Sequence, residues 1–465
     1  MEPCLSSAPL PADAPHVPVV IVGAGACGLT AALNLSRHGM ECVVLERDAT
    51  AQGSTALSSG FIPAPGTQAQ QLKGIADSPA LLVRDIQKKA KGLADPVLAD
   101  AYAHHIGPAL DELQQHHGLV WEVLDEFLYP GHSVHRMHAV PERTGAGLMQ
   151  RLMQAADQAQ VDVLTHAHAR VLHWDEQKGA LGVGYLRPDG QLEHVACDAL
   201  LLACNGFGGN PQRVMRHLPD MSQATYAGHV GNDGTALDWG ELIGADQADL
   251  GAYQGHGSWA TPQGGLVTWA LMMEGGIQIN SKGLRFHNET QGYSEAAVEV
   301  LAQPEGLAWC VFDDPILRLA QGFPDFVELM KVGAVRSFDQ PDALAQWIGC
   351  DAAILQRTLQ SVQPGTDAAT GRRFQRALQP PWHALRVTGA LFHTQGGLRT
   401  DGQARVLRRD GTPFPNVYAA GGAARGVSGT SVWGYLSGNG LLSAVAGGRI
   451  MALSAVQQIQ QGRSK

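Results

Sequence analysis

The chain has 465 residues, 33 Lys and Arg against 43 Asp and Glu, a net charge of −10, and only 16% charged residues. That length exceeds what one small core can organise and points to two domains, or one large α/β domain with an insertion, while 45% hydrophobic residues exclude a disordered chain. An acid excess with no Lys/Arg-rich block excludes nucleic acid as the main partner, because neutralising phosphates needs a basic face.

Residues 1–16 are rich in Pro and Ala and lack the basic and apolar regions of a secretory leader. They are expected to form a flexible tail, with the cytoplasm as the location. No run of about 18 apolar residues occurs, so no membrane span is expected. The seven cysteines are scattered without C-x-x-C spacing and read as small buried side chains, with no metal site expected.

From Val17 an apolar, β-rich run enters Gly23-x-Gly25-x-x-Gly28. A helix follows with Leu29, Ala32, Leu33 and Leu35 on one face, and then a second apolar strand ends in Glu46. Gly23 allows the tight turn, Gly25 lets a pyrophosphate approach the backbone, and Gly28 lets helix and sheet pack closely. The helix N-terminus then meets the phosphates, and Glu46, 18 residues past Gly28, is placed to accept hydrogen bonds from a ribose diol. NAD and FAD share this fingerprint. No second G-x-G-x-x-G in a strand–helix context follows, which disfavours an enzyme holding FAD and NAD(P)H in two such folds.

Cys197–Asn210 (CDALLLACNGFGGN) and Pro413–Gly429 (PFPNVYAAGGAARGVSG) each read as a strand entering a glycine-rich turn. Two such returns to one sheet resemble FAD proteins whose nucleotide domain is assembled from distant pieces. Between them, roughly His256 to Leu391, Pro-punctuated short elements read as an inserted α+β domain.

Further ordered motifs are Leu202-Ala203-Cys-Asn205-Gly206-Phe-Gly-Gly-Asn210, Asn232-Asp233-Gly234, Gly244-Ala245, Gln254-Gly-His256, Gly283-Leu-Arg285-Phe286-His-Asn288-Glu289 and His393-Thr394-Gln-Gly396-Gly397. Together they resemble the flavoprotein family of soluble fumarate reductases, succinate dehydrogenase flavoprotein subunits and 3-ketosteroid dehydrogenases, from Val17 to Ile450. The resemblance implies an α/β fold: a Rossmann-like FAD-binding domain assembled from residues 17–256 and 391–465, with an α+β capping domain at 257–390. It implies cofactor contacts at Gly23, Gly25, Gly28, Glu46, Ser54, Thr55, Ser59, Gly60, Ala203, Asn205, Gly206, Asp233, Gly421, Gly422, Ser437 and Asn439. Membrane-bound members link flavin through the His of a Ser-His-Thr segment. Residues 53–60 contain no His, so the FAD is expected to be non-covalent. Gly422 stands where many relatives place an acid.

By the same resemblance Arg285 is the active-site arginine facing the flavin, and the alternative is a pair with Glu289 four residues on. His256 and His393 resemble histidines that hold substrate carboxylates. Trp269 and Met272 occupy places where fumarate reductases have a proton-relay Glu and Arg. Tyr435 occupies the place of a second substrate-binding Arg. Ketosteroid dehydrogenases instead use tyrosines, and Tyr293, Tyr435 and more weakly Tyr129 match those places. The expected activity is transfer of hydride and proton across a C–C bond beside a carbonyl or carboxylate. A ketone or keto-acid is favoured over a succinate/fumarate-type dicarboxylate, with a separate electron donor or acceptor. A non-catalytic flavin-binding redox sensor is the reading of another class.

Overall fold

The computed structural model describes residues 1–463. Strands β1 (Cys4–Ser6), β2 (His16–Val22) and β3 (Cys42–Leu45) flank helix α1 (Ala26–Arg37) in sequence. Then come helices α2 (Pro96–His117) and α3 (Gly145–Gln158), and strands β4 (Asp162–Leu164), β5 (His168–Asp175), β6 (Gly179–Leu186) and β7 (Leu192–Leu202). Seven strands of a nine-stranded sheet run in the order β1-β5-β6-β7-β2-β3-β4, and two later strands join it beside β7. The last four residues of β2 are all buried, as a parallel strand covered on both faces requires.

β7 does two jobs. Its first half pairs antiparallel with β6, and its last three residues, Leu200–Leu202, pair parallel with Val417–Ala419 of a strand that arrives more than 200 residues later. The late return at 413–419 therefore joins the sheet beside β7, and the nucleotide-binding half is assembled from distant segments.

The second sheet is mainly antiparallel, built from β8 (Tyr253–Ala260), β9 (Ile277–Ile279), β10 (Leu307–Asp313) and β11 (Trp382–Thr394). Helix α4 (Tyr293–Leu301) packs on β8 and β11. Its core includes Ile277, Trp309, Phe312, Phe326, Leu385 and Val387. The limits expected at 256 and 390 fall inside β8 and β11, where His256 and Ala390 are partners in one ladder. An inserted segment must leave and re-enter at neighbouring points, and here one continuous pair of strands does both.

After strands β12 (Arg405–Leu407) and β13 (Pro413–Ala419), helix α5 (Asn439–Arg463) packs against α1 and α2. A Cβ at Gly448 would lie 2.4 Å from the Cys27 carbonyl oxygen, so α1 and α5 approach closely. Residues Asn439–Gly462 are long and apolar enough to cross a membrane by length and composition, although no unbroken apolar run marks them in the sequence. Two-thirds (67%) of an 18-residue window within it is buried in the fold. The expected N-terminal tail also differs: Cys4–Ser6 pairs in parallel with Val171–His173 and extends the sheet edge.

Candidate active site

The glycine turn after β2 brings Gly23 to φ +103°, a backbone shape that favours glycine, and a Cβ there would lie 2.6 Å from the Ala203 carbonyl oxygen. A Cβ at Gly28 would lie 1.9 Å from the Gly23 carbonyl oxygen, so Gly28 acts in packing and does not reach the cleft. Gly25 is different. It caps α1 without a side-chain bond, and only Thr55 Oγ1, at 3.6 Å, stands near its missing Cβ. The start of α1 thus presents backbone N–H groups to the cleft, with Thr55 Oγ1 accepting from Ala26 N at 3.2 Å.

Glu46 ends the second strand with its carboxylate on the cleft, accepting from Ala24 N and Asp48 N, each at 3.0 Å. Burial raises its pKa while these two bonds oppose the shift. Each oxygen retains acceptor capacity for a diol. Ser54 Oγ accepts from His229 N (3.1 Å) and Asn232 Nδ2 (2.8 Å). Asp233 lines the cleft but is held by Arg170 (2.8 Å) and Thr235, so it is a neutralised wall. A helix start bonded at its first N–H only by Thr55, open space at Gly25 and an acid at the strand end fit the phosphates and ribose of FAD.

Ser59, Gly60, Ala203, Asn205, Gly421 and Gly422 also line the cleft. A Cβ at Gly422 would sit 2.0 Å from Asn205 Oδ1, so the Asn205 amide already fills the space a side chain there would need. Besides Gly28, three expected cofactor contacts lie elsewhere. A Cβ at Gly206 would meet Thr394 Oγ1 at 2.0 Å, so Gly206 serves packing. Ser437 is buried beneath the turn, 3.4 Å from the Pro130 carbonyl oxygen. Asn439 is fully buried and donates to Ser428 Oγ at 3.0 Å. Neither of these side chains reaches the cleft.

At the other end of the cleft the structure gathers Tyr293, Tyr435, His256 and His393. Tyr293 and Tyr435 meet edge to face with ring centroids 6.1 Å apart. His256 stacks on Tyr293 at 4.8 Å and 20°, and His393 stands 5.8 Å from Tyr435. Ser258 N donates to His256 Nδ1 at 3.1 Å. A nitrogen that accepts a backbone N–H carries no proton, so His256 is neutral with its proton on Nε2. Burial drives both histidines the same way, His256 to a pKa of about 3 and His393 to about 4. Burial also pushes Tyr293 up to about 12 and Tyr435 well above the ordinary phenol value. Hydrogen bonding to Ser437, Tyr435 and the Gly438 backbone opposes the rise at Tyr293. Tyr129 lines the same chamber, its ring 4.2 Å from Phe127 and 6.1 Å from Phe61.

Arg285 does not face the cleft, contrary to the expectation that it meets the flavin. Its side chain is 5% exposed and bonds Glu289 at 2.8 Å and Asp367 at 2.9 Å. Glu289 is fully buried, also pairs with Arg372 at 2.8 Å, and accepts from Gln278 N. The Arg285 guanidinium lies over the Phe374 ring, 4.8 Å from its centroid. The i,i+4 pairing with Glu289 thus ties the turn after β9 to residues 367–374. The only fixed cations among the described cleft-lining residues are Arg47 and Arg143. Arg47 bonds the Gly231 carbonyl oxygen, and Arg143 pairs with Glu122 and Glu126.

Reading the sequence missed several cleft residues. Asn232 and Gln254 stood inside motifs already recognised; the Tyr435 hydroxyl donates to Gln254 Oε1 at 3.0 Å. Gln395 likewise lies within the His393 motif. Asp325, which accepts from Ser59 Oγ at 3.2 Å, had no local signal.

A family model described as an FAD binding domain matches residues 18–441. The fumarate reductase (cytochrome) of Shewanella frigidimarina is 27% identical over 459 residues, covering 96% of this chain and 78% of that protein. Among solved structures, the open conformation of a flavocytochrome c3 fumarate reductase superposes with a TM-score of 0.79 at 23% identity, covering 96% of this chain and 78% of that one. The 3-ketosteroid-Δ4-(5α)-dehydrogenase from Rhodococcus jostii RHA1, in complex with 4-androstene-3,17-dione, superposes with a TM-score of 0.76 at 23% identity, covering 98% and 99%.

Proposed function

The chain belongs to the FAD binding domain family and is an FAD-dependent oxidoreductase acting on CH–CH groups; on that premise we propose that its substrate is a neutral ketone. The observation that carries this reading is the composition of the substrate end. Two phenols and two neutral imidazoles meet there, and among the described residues no unpaired Arg or Lys lines the cleft. A dicarboxylate would bring two charges into a chamber with no free cation, and burying unpaired carboxylates is strongly unfavourable.

Bound FAD supplies hydride transfer at its N5. Tyr435 donates its hydroxyl proton in a hydrogen bond to the ketone oxygen, exchanging its present bond to Gln254. That polarisation acidifies the neighbouring C–H. Tyr293 takes or returns this proton, with the Gly438 backbone favouring its ionised form against the burial that opposes it. His256 and His393 donate to further oxygens of the substrate. We also propose that FAD is held without a covalent link, because residues 53–60 carry no histidine, and that the second electron partner is a separate molecule.

The second reading is a dicarboxylate, favoured by the 27% identity to a fumarate reductase across 96% of the chain. Anaerobic flavin bleaching or reoxidation separates the two, using a panel of 3-ketosteroids, keto-acids and C4 to C6 dicarboxylates. Rapid reaction with neutral ketones is expected. Reaction with dicarboxylates alone replaces this proposal with the second reading, and no reaction with any member favours a flavin-binding sensor.

A further inference from the structure

We propose that Gln395, Ser428 and Asn439 are positioning residues that hold His393 neutral with its proton on Nε2, presenting a hydrogen-bond donor to the cleft. This deepens the ketone reading and rests on it for the substrate class, an uncharged molecule with a second oxygen acceptor. The hydrogen-bond chain itself does not depend on the substrate.

All three side chains are shielded from water, with residue exposures of 3%, 1% and 0%. Their polar atoms must therefore find partners within the fold. Asn439 Nδ2 donates to Ser428 Oγ at 3.0 Å. Ser428 has one proton and gives it to Gln395 Oε1 at 2.7 Å. The Gln395 carbonyl is then committed, and its NH2 faces His393 Nδ1 at 3.2 Å. An amide NH2 only donates, so Nδ1 accepts and the ring proton belongs on Nε2.

The Thr394 carbonyl oxygen, 3.1 Å from the same Nδ1, asks for the opposite arrangement. Turning both amides would satisfy it and reverse the chain. That reversal would leave the Asn439 NH2 buried where its unpaired Oδ1 now lies. An orphaned donor is rarer in folded proteins than an under-used carbonyl, so the forward direction is the better satisfied one.

The ring edge carrying Nε2 lies against Gly440, where a Cβ would stand only 2.5 Å away. Glycine at that position therefore leaves room for Nε2 beside Tyr435. His256 reaches the same protonation through a backbone N–H, whereas His393 depends on three side chains and is open to mutational change.

The test is nitrogen NMR of the FAD-bound protein labelled with 15N-histidine, the His393 signals being assigned by their loss in His393→Gln. Wild type is expected to show Nδ1 in the unprotonated range and Nε2 in the protonated range. Gln395→Glu puts an acceptor at Nδ1 and should draw the proton there, lowering kcat/KM for the best ketone about 10- to 100-fold with FAD content unchanged. Should that variant not fold, Ser428→Ala frees the amide to turn and should give a mixture of both proton positions in the same spectrum. A wild-type Nδ1–H overturns the proposal, as do unchanged His393 signals in Gln395→Glu. Nε2–H in a protein that turns over no ketone sinks the substrate reading and leaves this inference standing.

Discussion

Tyr293 and Tyr435 hold their hydroxyls differently, and the difference divides their work. Tyr435 donates to Gln254 and is the harder of the two to ionise, which suits a polarising donor. Tyr293 has the better supported oxygen and suits the proton acceptor. Tyr435→Phe and Tyr293→Phe should each lower ketone turnover by about 10²–10³-fold, the range for losing one transition-state contact. Stopped-flow reduction reads the loss, and the FAD absorption spectrum should stay unchanged. Fast fumarate reduction by both Phe variants would favour the dicarboxylate. Arg285 has a different consequence, since its partners are structural. Burial acts to raise the Glu289 pKa, but Arg372 and Arg285 bring it down to about 2. A folded-state pKa below the unfolded value stabilises the fold at pH values above the ordinary carboxylate range, and that contribution is lost as pH falls through about 2. Arg285→Ala should therefore destabilise by about 1.5–3 kcal/mol at neutral pH, the range for lost hydrogen bonds to a charged group while Arg372 still pairs with Glu289, and the penalty should shrink between about pH 4.5 and pH 2. Calorimetric unfolding across that range checks it; a fully stable variant that has lost only turnover would return Arg285 to the chemistry.

Helix α1 and its flanking strands were readable because their signals are local. Glycine spacing, one apolar helix face and an acid at the end of the next strand all fall within 30 residues of each other. Glu46→Ala removes the acceptor at the strand end and should weaken FAD by about 1.5–3 kcal/mol, the range for bonds to a charged group, measured by calorimetric titration of the apoprotein. An unchanged affinity would mean that Glu46 only braces the glycine turn through Ala24 and Asp48. Other elements carried no local signal. Cys4–Ser6 pairs with Val171–His173, a partner that short-range patterning cannot reveal. The limits expected at 256 and 390 fall inside β8 and β11, where the pairing shifts register on either side of Gly255 and His256. Arg285 was misplaced for a related reason: its motif identifies the turn, but whether the guanidinium meets the cleft or residues 367–374 is settled by tertiary packing. Tyr293, eight residues on at the start of α4, is the side chain from this stretch that reaches the chamber.

The cleft lies between the two halves of the protein, and the contacts that join those halves differ in strength. Lys89, at the end of helix Pro79–Lys89, pairs with Glu295 on α4 and also donates to the Gln291 carbonyl oxygen at 2.9 Å. Those two charged side chains are 12% and 5% exposed. Breaking such a pair by removing one partner leaves the other charge buried, at a cost of about 3–5 kcal/mol. Across the cleft wall, Ser59 and Asp325 share one hydrogen bond at 3.2 Å. A bond of that kind contributes only about 0.5–3 kcal/mol, the upper end applying if Asp325 is ionised. The Lys89–Glu295 pair is therefore the stronger tie, and the Ser59–Asp325 bond is the weaker one, which any opening of the cleft wall at Asp325 would break first. Lys89→Met should lower thermal stability by several degrees. Ser59→Ala should leave thermal stability nearly unchanged while making bound FAD more accessible to iodide quenching and raising KM a few-fold. The comparison is decisive because both variants remove contacts between the same two halves. Equal losses of thermal stability, with no change in quenching for Ser59→Ala, would show that the wall at Asp325 does not open.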